Sequence, residues 1–437
     1  KPLLQDDRIF LDARFSPISR VEYHVEKIRV GQEIDYDKLV LMVHTNGAVS
    51  PYDSVHYGTS VLRTQFENFL ISNEIPFNAI SKELDGIGAE YNAFTGKDHT
   101  GYYIKADSSH LPLAVEMLSD MLHNSKFEKT EIDRERGVII EEINMYEDNP
   151  LMYMEDVFEN LLFKDTVLGR SIAGPRVNIQ TIPRNSLYNY YQKHYFGGNA
   201  VIGVAGKFTQ AQALKLVDKL FPIGKKQARN KIKAVPAFRQ TKPEVKIVKR
   251  DLEQVQLMLG FRTISSVDPK FMTAQLLGNI LGATMSSRLF LNIRERRGLC
   301  YFIRASIGAY EDIGSFVVHA GLNKEKVYEA LEAIKEELND ISSKGITKEE
   351  LKKAKDNIRG RMVLKMENAN SHLNFLMSQE LLGQQIKDLE AKLKEMDKIT
   401  IKQVNDLAKQ IVKWPQANLA IIGPFENKNK FLKILSK

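Results

Sequence analysis

The feature that most constrains this chain is that it repeats itself. Asn199–Phe208 is an apolar run broken by Gly206 and followed by a helical pattern over Gln210–Leu220. Ala417–Phe425 is a near copy, and it leads into Asn427–Leu435. A second echo comes in the same order. Leu113–Leu122, then Phe127-Glu-Lys-Thr-Glu-Ile132 and a long helical stretch, matches Val327–Leu338, then Ile346-Thr-Lys-Glu-Glu-Leu351 and another long helix. Two echoes in one order imply a duplication, so whatever unit one half builds the other should build again. The expected halves are 1–222 and 251–437. Between them, 223–250 is a Lys/Arg-rich linker with Pro236 and Pro243.

Each half alternates strands with amphipathic helices. Strands gather first, at Val21–Val30 and Leu39–His44, with a short turn between them. Neighbouring strands joined this way pair antiparallel, which predicts an α+β fold rather than a doubly wound parallel sheet. At 437 residues with 43% apolar side chains the chain exceeds one ordinary core and has material for several. No stretch approaches the roughly 18 apolar residues that cross a bilayer, and Lys1–Arg20 mixes charge with short apolar runs. A soluble, cytoplasmic protein without a membrane partner is expected. The single cysteine, Cys300, excludes an internal disulfide and a multi-cysteine zinc site, and reads as a packed small residue. The formal charge of +7 is concentrated in the linker. No nucleic-acid motif accompanies it, so it reads as a solvated segment and nucleic acid is not expected as a partner.

Gly88-Ala-Glu-Tyr-Asn-Ala-Phe-Thr95 and His99-Thr-Gly-Tyr-Tyr-Ile104 come first among three groups of motifs. Arg134-Glu-Arg-Gly-Val-Ile-Ile-Glu-Glu-Ile143 follows, with Tyr146-Glu-Asp-Asn-Pro150 behind it. The second half adds Ser287-Arg-Leu-Phe290 and Ile293-Arg-Glu-Arg-Arg-Gly-Leu-Cys-Tyr301. In this order and spacing they resemble the insulinase-like (pitrilysin-type, M16) zinc peptidases, and specifically a short subunit of that family. The resemblance implies two homologous halves, each a LuxS/metallopeptidase-like αβ roll whose antiparallel-rich sheet is covered by helices.

Active members of that family carry H-x-x-E-H on a helix, two imidazoles at i and i+4 binding zinc and a glutamate activating water. Aligned without a gap on Gly58-Thr-Ser60 and Ile80-Ser-Lys-Glu-Leu84, the five motif positions are Val61, Leu62, Arg63, Thr64 and Gln65. Valine offers zinc nothing, and threonine cannot replace a carboxylate as general base near neutral pH. A shifted alignment onto Thr64–Asn68 would keep Glu67 as the base, and both histidines would still be missing. The histidines stand at 24, 44, 56, 99, 110, 123, 194, 319 and 372, no two of them three or four apart. The resemblance places Glu142 where the family has its third ligand, with Glu135 two helical turns earlier on the same face. Both read as remnants that now hold salt bridges or caps, and this chain is expected to bind no zinc of its own.

The family's Arg/Tyr pair is retained as Arg294 and Tyr301. The resemblance implies that they reach a zinc site from the opposite domain and hydrogen-bond the scissile carbonyl. It further implies a non-catalytic subunit of a heterodimeric zinc endopeptidase. The partner would be a homologous H-x-x-E-H chain holding the zinc, and the substrate an unfolded peptide. The alternative is a structural or peptide-binding protein of the same fold with no proteolytic role. Three other features carry less. Gly86, Gly88 and Gly101 lack the strand-loop-helix setting of a phosphate loop. His319 lies in an apolar strand, Phe316–His319, and reads as structural. The aromatic run Tyr188, Tyr190, Tyr191, Tyr195 and Phe196 reads as core packing.

Overall fold

A computed structural model of the chain describes residues 18–30, 33–45, 77–195, 197–221 and 238–436. They fall in two compact units, 1–89 and 90–437. In the first unit, β1 (Ile18–Val30) and β2 (Glu33–Thr45) form an antiparallel hairpin in which Val21 faces Val43 and Val25 faces Leu39. Both expected strands lie inside it. The helix α1 (Phe77–Gly86) follows.

The second unit opens with a tight hairpin, β3 (Glu90–Thr95) and β4 (Thr100–Lys105), closed by the Gly96 amide donating to the His99 carbonyl at 2.7 Å. Helices α2 (Leu111–His123), α3 (Lys129–Asp148) and α4 (Pro150–Leu162) come next, then α5 (Arg176–Thr181), α6 (Arg184–His194) and α7 (Gln210–Leu220). Strands β5 (Glu244–Lys249), β6 (Gln254–Thr263), β7 (Cys300–Ala309), β8 (Gly314–Asn323) and β9 (Asn418–Gly423) build a five-stranded sheet of order β5-β9-β6-β8-β7. Only β5–β9 is parallel, so the sheet is antiparallel-rich as expected.

One face of that sheet is packed by α8 (Phe271–Gly282), α9 (Val327–Lys344), α13 (Ile401–Ile411) and α14 (Asn429–Ser436). Between them run α10 (Lys348–Met366), α11 (Ala369–Leu381) and α12 (Leu389–Asp397). Leu259, Phe316, Val318, Leu331 and Leu407 are buried in this core, each adding roughly 1.5–3 kcal/mol by leaving water. Gly282 lets α8 lie close on the edge strand, since a Cβ there would run into the backbone of Ala305. The opposite face carries Met258, Ala420 and Ile422, covered by Met154, Val157, Phe158 and Leu162 of α4.

The second echo reappears in the helix starts. α3 begins two residues after Phe127 and α10 two residues after Ile346. Only the second start has a capping box, in which Thr347 and Glu350 satisfy each other's backbone amides. The other echo holds in one copy. Asn418–Gly423 is a fully buried strand leading to α14, whereas Asn199–Phe208, expected as its twin, ends a 3₁₀ turn at Asn199 and continues irregularly to α7. An apolar run becomes a strand only with a ladder beside it. β9 has β5 and β6, and no described strand pairs with 199–208.

Candidate functional site

Helix α3 carries Glu135 and Glu142. Its first turns are pinned by Lys129–Asp133 and Arg134–Glu131 ion pairs, and Arg136 donates to the Ile182 carbonyl at 2.6 Å. Among the described residues neither Glu135 nor Glu142 has an ion pair or a side-chain hydrogen bond. They instead act on each other. Desolvation, and then the neighbouring Glu142 charge, raises the Glu135 carboxyl above the usual carboxylate range.

Among the described residues no three His, Cys, Asp or Glu side chains converge as metal ligands. Val61, Leu62, Arg63, Thr64, Gln65 and Glu67 lie outside the described residues. Under either alignment the motif contributes no imidazole and at most one carboxylate. This donor set does not fit a catalytic zinc, which takes three protein ligands and leaves one position open.

The second half presents Arg294 and Tyr301 on a compact reversal. Phe290–Glu295 is wound one residue wide, as a π-turn, and ends with the Gly298 amide on the Arg294 carbonyl at 3.1 Å and the Leu299 amide on the Ile293 carbonyl at 3.0 Å. Gly298 is left-handed, with φ of 59° and open space around it, so backbone conformation is what requires glycine there. Buried Ile293 and Leu299 anchor the turn from beneath. β7 then starts with a bulge: Cys300 faces Leu322 and Phe302 faces Gly321, leaving Tyr301 without a partner residue. A bulge re-aims a side chain, and Tyr301 is 56% exposed.

The neighbouring arginines separate by role. Arg288 is a clamp, bonded at both ends of its guanidinium to Glu350 (2.5 and 2.9 Å), with the Gly345 carbonyl at 2.9 Å. Arg296 donates to Asn292, Arg297 to Glu336 and Arg304 to His319. Arg294 has no acceptor among the described residues. Its guanidinium lies 4.8 Å from the centre of the Phe290 ring, exposed and still carrying unused donors.

His319 and Cys300 take structural roles. Arg304 can only donate, so His319 Nδ1 accepts at 3.2 Å and Nε2–H donates to Gln256 Oε1 at 3.3 Å. Burial, and then the Arg304 charge, pushes this imidazole down to about 3, so it stays neutral. Burial pushes the Cys300 thiol up to about 11, with the Arg294 charge opposing. A thiol so placed is a poor nucleophile. In the aromatic run Tyr191 is buried against Phe127, Tyr188 and Tyr195, whereas Tyr190 is exposed and stacks on His194.

Two features were not legible in the sequence. Tyr310, after β7, donates to Glu159 of α4 at 2.6 Å, and Glu159 also pairs with Lys97 of the β3–β4 turn at 2.9 Å. This half-buried triad ties three distant segments together. Beside it runs a groove of about 2080 Å³, lined by α8, Arg304–Ile307 of the edge strand β7, and helices α10 and α11. Arg361 is on its wall. Arg361 stands fifteen residues past Ile346 as Glu142 stands fifteen past Phe127, so at the matching offset of the echo a cation replaces the carboxylate.

These elements define an α+β protein of the metallopeptidase kind that has, among the described residues, an Arg/Tyr pair without a bonded partner and no cluster of metal ligands. Residues 56–176 match the family model described as insulinase (peptidase family M16), and residues 181–358 the one described as peptidase M16 inactive domain. An uncharacterized zinc protease of Mycobacterium leprae is 32% identical over 80% of this chain and 79% of its own length. One from Bacillus subtilis is 33% identical over 80% and 84%. Among solved structures, a protease from Helicobacter pylori has a TM-score of 0.73 at 19% identity, covering 80% of this chain and 86% of that one. The peptidase M16 inactive domain from Pseudomonas fluorescens has a TM-score of 0.73 at 20% identity, covering 80% and 84%. The chain belongs to the insulinase family of peptidases, family M16. No helix among the described residues is long and apolar enough to cross a membrane.

Proposed function

We propose that this chain is the non-catalytic subunit of a heterodimeric insulinase-like zinc endopeptidase. A homologous H-x-x-E-H partner supplies the zinc, the base and the water. This chain supplies part of the wall around the peptide, an edge strand along which an extended segment can pair, and Arg294 with Tyr301. The observation that carries the reading is the state of that pair. Arg294 and Tyr301 are exposed, and without a bonded partner among the described residues, on a reversal shaped by a π-turn, a left-handed glycine and a bulge, while the surrounding arginines are engaged. Their role is to donate to the scissile carbonyl oxygen as it gains negative charge, Arg294 with fixed charge and Tyr301 with its hydroxyl. A groove of about 2080 Å³ exceeds the roughly 300–1,000 Å³ of small-molecule sites and suits a polypeptide.

The test pairs this chain with its H-x-x-E-H partner and measures cleavage of an unstructured peptide. Arg294→Ala should lower turnover roughly tenfold to a thousandfold, the scale of one lost oxyanion donor. The chain purified alone should hold no stoichiometric zinc and cleave nothing. The donor set also suits a peptide-binding or structural protein with no proteolytic role. Turnover indifferent to Arg294 would favour that second reading.

A further inference from the structure

Beside Tyr301 lies a second, smaller cleft of about 120 Å³, lined by Gly298, Leu299, Cys300, Tyr301, Asn323 and Lys326. That is room for about four waters at roughly 30 Å³ each, enough for the tip of a polar side chain. Its chemistry is one-sided. Lys326 Nζ makes a single long bond, 3.4 Å, to the Gly298 carbonyl, leaving hydrogens to donate. Asn323 uses Oδ1 to accept the Glu325 amide at 2.9 Å, which leaves its Nδ2 hydrogens free. The Tyr301 hydroxyl has no partner among the described residues, and Arg294 lies close enough for its charge to act on Cys300. No carboxylate lines the cleft; the nearest acids in sequence, Glu295 and Glu325, are not among its walls. Three side-chain donors lining one cleft that has no carboxylate among its walls favour an anion, and such donors fit the lone pairs of one carboxylate.

We propose that this cleft is a carboxylate-recognition subsite in which Lys326, Asn323 and Tyr301 hold an acidic group of the bound peptide adjoining the bond that faces Arg294. The proposal rests on the subunit role given above, and it names the substrate class: peptides with an Asp or Glu side chain, or a free C-terminus, next to that bond. Lys326 is then a specificity-determining residue, setting which peptides are seated.

The test uses the full chain alone and three fluorescent unstructured peptides read by anisotropy. One carries a central Glu, one has Gln in its place, and one carries the Glu with an amidated C-terminus. The Glu peptide should bind roughly tenfold tighter than the Gln peptide if a side chain is recognised. A comparable loss on amidation alone would instead assign the free C-terminus. Either preference should fall to about one in Lys326→Gln, return in Lys326→Arg, and weaken with added salt. Equal affinity for all three peptides, no binding of any, or a preference that survives Lys326→Gln overturns the assignment. Turnover of the assembled pair reads the parent proposal separately. Arg294-dependent cleavage with no acidic preference removes the subsite and keeps the subunit role, whereas acidic preference in binding with Arg294-independent cleavage does the reverse.

Discussion

Replacing His319 by Gln should flatten the pH dependence of stability, and the size of the effect follows from its surroundings. His319 is 2% exposed, wedged between Arg304 and Gln256 with the Phe302 ring edge-on at 5.0 Å. Charging it would place a second cation against a guanidinium, and its folded value is accordingly about 3 against 6.5 for a free imidazole. A basic group depressed by folding takes its proton in the unfolded chain first. Stability is therefore complete above the unfolded value of 6.5 and is lost as pH falls from there towards 3. Between about pH 7 and about pH 5 the unfolded chain gains nearly one proton at this site, a loss of about 2 kcal/mol. The full interval sets a ceiling of about 5 kcal/mol at about 1.36 kcal/mol per unit. His99 works in the opposite sense, since its hydrogen bond to Asp98 raises its value, but it is present in both proteins and cancels in the difference. Gln can accept from Arg304 and donate to Gln256, so the variant keeps both contacts without the titration. The assay is urea unfolding followed through Trp414, the only tryptophan, which packs edge-on to Phe261 of the same core. Wild-type and variant stabilities that fall in parallel over this range would refute the assignment of His319 as a buried neutral imidazole.

Two further substitutions test the scaffold of the Arg/Tyr reversal. Glu350→Ala removes the carboxylate that Arg288 clamps and that caps Thr347, and should cost about 1–3 kcal/mol by urea unfolding, with Glu350→Gln losing less. Gly298→Ala meets no neighbouring atom, so its cost is conformational, about 1–2 kcal/mol, and Gly298→Asn should lose less because Asn tolerates the left-handed region. If Gly298→Ala left the unfolding midpoint unchanged, glycine would not be needed for that backbone angle.

Residue identity by itself determined which helical donor pair this chain lacks. Imidazoles missing at i and i+4 cannot be supplied by folding, so the lack of a helical histidine pair is complete in the sequence. The starts of α3 and α10, the buried strand at Asn418–Gly423 and the seven-residue spacing of Arg294 and Tyr301 were legible for a related reason. Each is set by local periodicity, capping chemistry or spacing along one stretch of chain. The tertiary structure decided everything that depends on a partner distant in sequence. Asn199–Phe208 and Ala417–Phe425 read alike, yet among the described residues only the second has strands to pair with. Arg288 and Arg294 sit six residues apart, and packing against α10 made the first a clamp while the second has no acceptor among the described residues. Arg134, Arg136 and Arg176, the cations of α3 and its surroundings, pair with other acids and carbonyls, so among the described residues none of them reaches Glu135 or Glu142. Lys326 carried no sequence signal at all. It became a candidate for recognising substrate only because β8 returns alongside β7 and brings its ammonium to the cleft beside Tyr301.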